Sequence, residues 1–149
     1  MEQRDFYLCD NVIEGRLEWP WVFDADAQSH WDDRGVDLAG DGHVACHNRI
    51  SGFGDPVVNK QVESRAWDVY GNDILDAFDG TELDEASGNV RLYRNRFTNV
   101  MDPISIQPIH GGPAYALRNV GHNIVQEQIK LKSLGGQQLP SGALIYHNS

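Results

Sequence analysis

Basic residues are scarce in this chain: 12 Lys and Arg stand against 22 Asp and Glu, a net charge of −10. A nucleic-acid partner is therefore disfavoured on electrostatic grounds. No apolar run approaches the ~18 residues a membrane-spanning helix needs, so no membrane segment is expected. The opening MEQRDFYLCDN lacks the apolar core of a signal peptide. There are only 2 cysteines, too few to establish an oxidising compartment. The fixed leucine frame of leucine-rich repeats is missing, and so is the 3.6-residue apolar period of helical repeats. Both of those solenoid types are excluded.

What the chain does have is a recurring asparagine. The segments LCDNVI, ACHNRI, VYGNDI, LYRNRF, ALRNVG and IYHNS centre on Asn11, Asn48, Asn72, Asn95, Asn119 and Asn148. The inner gaps are 24, 23 and 24 residues, the outer ones 37 and 29. A second phrase follows in step: DPVV, DGTEL, DPISI and EQIKL. Apolar residues alternate in short runs bounded by Gly, Asn, Asp and Pro, which reads as strands. Three short strands and three turns per period of about 23 residues describe one coil of a right-handed parallel β-helix. Parallel strands stack about 4.8 Å apart. An Asn repeated at one turn can then bond its neighbours above and below, and Asn tolerates the left-handed conformation of a tight corner. A lesser turn column follows at Gly15, Gly52, Asp76, Asn99 and Asn123. The length suits one domain over 1–149, an all-β solenoid of about five coils. Val69, Ile74, Leu83, Leu92, Phe97, Ile104, Ile106, Ile129 and Leu131 are its expected core.

The stretches GHVACHNRISGFGD, DVYGNDILDAFDGTELD, NVRLYRNRFTNV and SIQPIHGGPAYALRNV resemble the right-handed parallel β-helix repeat proteins of the pectin-lyase-like superfamily. The resemblance covers nearly the whole chain, apart from residues 16–33. It implies polysaccharide lyase, hydrolase or epimerase activity, or a non-catalytic carbohydrate-binding or scaffold module, because one scaffold hosts several chemistries. The superfamily's DPHE box and its paired Asp beside a GHG loop are absent. The chain opens straight into a strand and stops on an Asn turn. The missing signal peptide reads either as a chain kept in the cytoplasm or as a fragment of a longer, secreted β-helix. The uncapped ends favour the fragment or short-frame reading, with end-to-end self-association as the alternative way to cover the open coils.

Residues 16–33 break the period and carry Trp19, Trp21 and Trp31. They read either as a lid over the first coil's open side or as a sugar-stacking platform. Cys9 and Cys46 share one column with Tyr70, Tyr93, Leu117 and Tyr146. A packed stack is the expectation there; a disulfide fits the same separation.

The resemblance places the polysaccharide groove on the sheet carried by VDL, PVV, GTEL, PISI and QIKL. By alternation its outward columns are Asp37, Val58, Glu82, Ser105, Lys130 and Ala39, Lys60, Asp84, Gln107, Lys132. Asp55, Asp79, Asp102 and Glu127 precede them at the turn. Asp79, Glu82, Asp84, Asp102 and His110 are the candidate catalytic groups. Clustered carboxylates shift one another's pKa, which suits acid–base work on sugars. Lys60, Ser105, Gln107, Lys130 and Lys132 are the candidate substrate-binding groups for an acidic polysaccharide or oligosaccharide. A Ca²⁺ held by the Asp cluster is the alternative neutraliser of a uronate. Repeated Asp before Gly or Pro also serves as a turn residue, and Glu82 with Lys130 also reads as a solvated face.

Overall fold

The side-chain amides of all six repeat asparagines stack at one corner of the computed structural model, which describes residues 3–22, 24–59, 64–107, 111–132 and 142–149. Each Nδ2 donates to the next Oδ1 at 3.0 Å, from Asn11 through Asn48, Asn72, Asn95 and Asn119 to Asn148. An interior amide is fully satisfied. Asn72 Oδ1 accepts from the backbone N and the Nδ2 of Asn48, while its Nδ2 donates to Asn95 and to the Ala45 carbonyl. Buried amides that meet all their partners favour this register over any other.

The left-handed residue at that corner is not the Asn. It is the residue before it: Asp10, His47, Gly71, Arg94, Arg118 and His147 all have φ between 52° and 65°. The Asn itself points inward and caps the turn. The expected lesser column is left-handed at Gly52, Asp76, Asn99 and Asn123. It builds a second, shorter ladder, Asn123 to Asn99 to Asp76, with 2.8 Å bonds.

The fold is an all-β parallel solenoid of about four turns, with almost no helix. Five turns were expected; the pass before the regular coils is broken by residues 16–33. The strands leading into Asn form one six-stranded parallel sheet: Tyr7–Cys9, Val44–Cys46, Asp68–Tyr70, Val90–Tyr93, Ala114–Leu117 and Ala143–Tyr146. The two faces after Asn merge into one eight-stranded sheet, because Asp73–Glu82 and Arg96–Ser105 run unbroken around their left-handed corner. The first halves of these strands pair with Arg49–Phe53 and Val120–Ile124, their second halves with Asp55–Asn59 and Ile129–Lys130.

One apolar column fills the centre. Val69, Ile74, Leu83, Leu92, Phe97, Ile104 and Ile106 lie in it as expected, joined by Trp67, Val57 and Val90. Ile129 is only partly buried and Leu131 is 42% exposed, against expectation. Their coil contributes a two-residue strand, and among the described residues no further strand pairs with it. Cys9 and Cys46 form a disulfide rather than a simple packed stack, their Cα atoms 4.5 Å apart at one coil spacing. Tyr70 and Tyr93 continue the column as stacked rings, centroids 4.8 Å apart.

The Trp-rich insertion reaches the flank of the middle coils. Trp21 meets Phe78 edge-on at 5.1 Å and Trp31 stacks on it at 5.2 Å. Leu17, Ala27, Phe78 and Met101 form a small second core beneath Trp21. The insertion's helix, Ala25–Ser29, is capped by Asp24, whose carboxylate accepts from the N–H groups of Asp26 and Ala27. Aromatic burial accounts for the seating of Trp21, whereas Trp31 stacks on Phe78 and stays 42% exposed.

Candidate functional site

The carboxylates expected on the third face do come together on consecutive coils. Asp79 pairs in register with Asp102, and Glu82 with Ser105, which pairs in turn with Lys130. On the other side Glu82 pairs with Val58, and Val58 with Asp37. The row is far less open than alternation alone suggests. Asp55, Asp79, Asp84 and Asp102 are each at most 6% exposed; Val58 and Ser105, both expected outward, are fully buried. Of the clustered acids Glu82 is the one only half-buried, and Asp37, at the far edge of the row, is exposed.

Ser105 is buried because Asp84 folds back over the sheet to meet it. The Ser105 hydroxyl donates to Asp84 Oδ1 at 3.0 Å, and Gln107 N donates to the same oxygen at 2.7 Å. Gln107 Nε2 reaches the other oxygen at 3.3 Å. Lys130, also expected outward, is turned in, its side chain 11% exposed. Its ammonium is bonded to Asp79 and lies 3.5 Å from Asp102, serving as an internal counterion. Asp102 also accepts from the Glu127 N–H of the next coil at 2.9 Å, the backbone-bonding role expected of this turn column. Lys132 does not reach the row; it pairs with Glu127 at 2.9 Å on the surface. Lys60 and His110 lie outside the described residues.

Burial with little compensating charge raises the carboxyls. Asp55 is pushed up to about 8 by desolvation, then by the charges of Glu82 and Asp79. Glu82 rises to about 7 by desolvation and the charges of Asp84 and Asp79. Asp79 rises to about 6 by desolvation, held back by the Lys130 hydrogen bond. Asp84 is raised by burial despite the bonds from Gln107 and Ser105. Burial pulls the Lys130 ammonium down, but its bond to Asp79 and the nearby acids leave it raised. Several carboxyls in one row thus hold or release a proton near neutrality, the property general acid–base chemistry requires. Among the described residues, no three His, Cys, Asp or Glu side chains converge as metal ligands.

Two members of this site were missed from the sequence. Asp55 was read only as a turn residue. Arg34 was not singled out, although counting back two residues from Val36 puts it beside Asp55, its register partner. Its guanidinium bonds Asp37 at 3.1 Å, and its Nε is buried without a partner. Among the described residues the row is therefore bracketed by Arg34 and Lys130, and Lys132, expected there, is not one of the pair. Of the clefts at the surface, one of about 460 Å³ is lined by Leu17, Trp21 and His30, and one of about 380 Å³ by Tyr93, Arg94, Leu117, Arg118, Tyr146 and His147. Neither contains the acid row.

No protein-family model, no curated protein and no solved structure matches the chain.

Proposed function

We propose that this chain is a polysaccharide-processing β-solenoid, akin to the pectin-lyase-like superfamily, whose chemistry resides in the acid row with Glu82 as the exchanging proton donor and acceptor. One observation carries the reading: in the cluster of Asp55, Asp79, Glu82, Asp84 and Asp102, the four aspartates are buried while Glu82 stays half-buried and is held at about 7. A carboxyl in that state can give its proton to a glycosidic oxygen or take one from carbon beside a sugar carboxylate. Asp79, charged above about 6 and backed by Lys130, supplies the neighbouring negative charge. The test is a panel of uronate and neutral oligosaccharides incubated with and without Ca²⁺, scanned for new double bonds and reducing ends. Products formed by the native chain and lost in Glu82→Gln, with circular dichroism unchanged, are expected. No product from any glycan by a folded chain would sink the enzymatic reading.

A second reading, a carbohydrate-binding or scaffold module, is favoured by a separate observation. Asp84 spends both oxygens on Ser105 and Gln107, and Asp79 and Asp102 share Lys130. Those bonds hold coils together. On this reading Asp84→Asn lowers stability, and glycans bind without being altered.

A further inference from the structure

On the opposite side of the solenoid, the sheet that leads into the Asn corner carries an aromatic column with one place vacant. Tyr70 and Tyr93 stack in parallel at 4.8 Å, the rise of one coil. The next two positions in register are Leu117 and Tyr146. Leu117 is shorter than a tyrosine. The Tyr146 ring meets His147 edge-on at 6.1 Å. The backbones of Tyr93 and Tyr146 stand two coils apart, about 10 Å at the strand spacing. That is about twice the Tyr70–Tyr93 separation, the gap one further ring would fill. The space exists: it is the cleft of about 380 Å³ floored by Leu117.

Its rim is cationic. Arg94, Arg118 and His147 follow Tyr93, Leu117 and Tyr146 directly and line the same cleft. Among the described residues neither arginine has a carboxylate partner, whereas Arg91, on the same sheet, is paired with Asp68. Two guanidiniums without a carboxylate among the described residues are conspicuous in a chain of net charge −10. They also stand at left-handed positions, φ 57° and 55°, which Gly, Asn or Asp occupy at lower cost. Elsewhere at this corner the chain uses Asp10, Gly71 and the histidines His47 and His147.

We infer that this cleft binds a flat-faced ring bearing a carboxylate, the ring inserted between Tyr93 and Tyr146 over Leu117 and the anion held by Arg94 and Arg118. Ring faces stack on tyrosine, and a guanidinium fork matches a carboxylate in two parallel bonds. A uronate unit of a glycan and an aromatic acid share this chemistry. The site is separate from the acid row and stands without it.

The experiment is a binding titration of the full chain, followed by NMR or calorimetry, with a uronic-acid oligosaccharide, its neutral counterpart, an aryl carboxylate and a single-stranded oligonucleotide. One of the two carboxylates is expected to bind, weakening with salt, and the tighter one identifies the source. Arg118→Asn keeps the corner conformation, since Asn99 and Asn123 adopt it in this chain. It should weaken binding at least about tenfold, the loss of one charge-assisted pair. Leu117→Tyr fills the vacancy and should abolish binding while leaving the fold intact. Absence of binding by both carboxylates, unchanged affinity in Leu117→Tyr, or tighter binding of the oligonucleotide would overturn the proposal. The readout is binding and not turnover, so its failure leaves the acid row unaddressed.

Discussion

Lys130 lies between two carboxylates of successive coils, bonded to Asp79 and 3.5 Å from Asp102, with all three side chains at most 11% exposed. Removing one member of a buried ionic cluster leaves the others charged without compensation. Lys130→Met should therefore cost about 3–5 kcal/mol at pH 8. The loss should shrink at pH 5, where Asp79 carries a proton. Urea melts of both proteins at the two pH values measure it. An equal loss at both would show that Lys130 acts through packing and not through charge.

The acid row also fixes the sign of the pH dependence. Asp55, Glu82 and Asp79 titrate at about 8, 7 and 6 in the folded chain, above ordinary carboxyls near 4. Between the unfolded and folded values the folded state binds more protons, so stability falls as pH rises. The denaturation midpoint should decline steadily from about pH 5 to pH 8, within the windows of these three groups. Replacing Asp55 by Asn removes the widest window and should flatten the upper part of that decline. A midpoint that rises over the same range would contradict the burial of these acids.

What could be read from the sequence and what could not divide along a physical line. The Asn corner is periodic, and one residue type recurring at one coil step is visible without coordinates. So are the inward columns such as Leu92–Phe97 and Ile104–Ile106, because strand alternation decides them locally. Ser105 and Val58 obey the same alternation yet are buried, since cover comes from residues distant in sequence. Asp84 returning over Ser105 leaves no local signal. The place of Lys130 depends on a carboxylate 51 positions away. The left-handed residue at each corner could have been located from Gly71 and Asp10, which suit that conformation and precede their Asn. The partnership of Trp31 with Phe78 has no sequence counterpart beyond the conspicuous tryptophans.

The ladder should be unequal along its length. Asn95→Ala deprives Asn72 of the acceptor for both its N–H and its Nδ2, and leaves the Val69 carbonyl without its donor. Each buried orphan costs about 1–3 kcal/mol, so a total of at least about 3 kcal/mol is expected. Asn11 is exposed, and among the described residues its Nδ2 reaches the Cys9 carbonyl and Asn48. Asn11→Ala should cost about 1 kcal/mol or less. Chemical denaturation of the pair tests the contrast, and equal losses would mean that the interior amides are not dry.

The Cys9–Cys46 bond closes a loop of 37 positions that contains the whole tryptophan insertion. A cross-link of that span restricts the unfolded chain and stabilises the fold by roughly 3–4 kcal/mol. Reduction should lower the melting temperature. The effect should be concentrated in the first pass, because Tyr7–Cys9 pairs only with Val44–Cys46 while the later coils keep their own neighbours. Hydrogen exchange with and without reductant resolves this: amides of residues 7–14 should lose protection, those of Asp73–Glu82 and Arg96–Ser105 should keep it. Uniform loss of protection along the chain would show instead that the solenoid unfolds as one unit from its first coil.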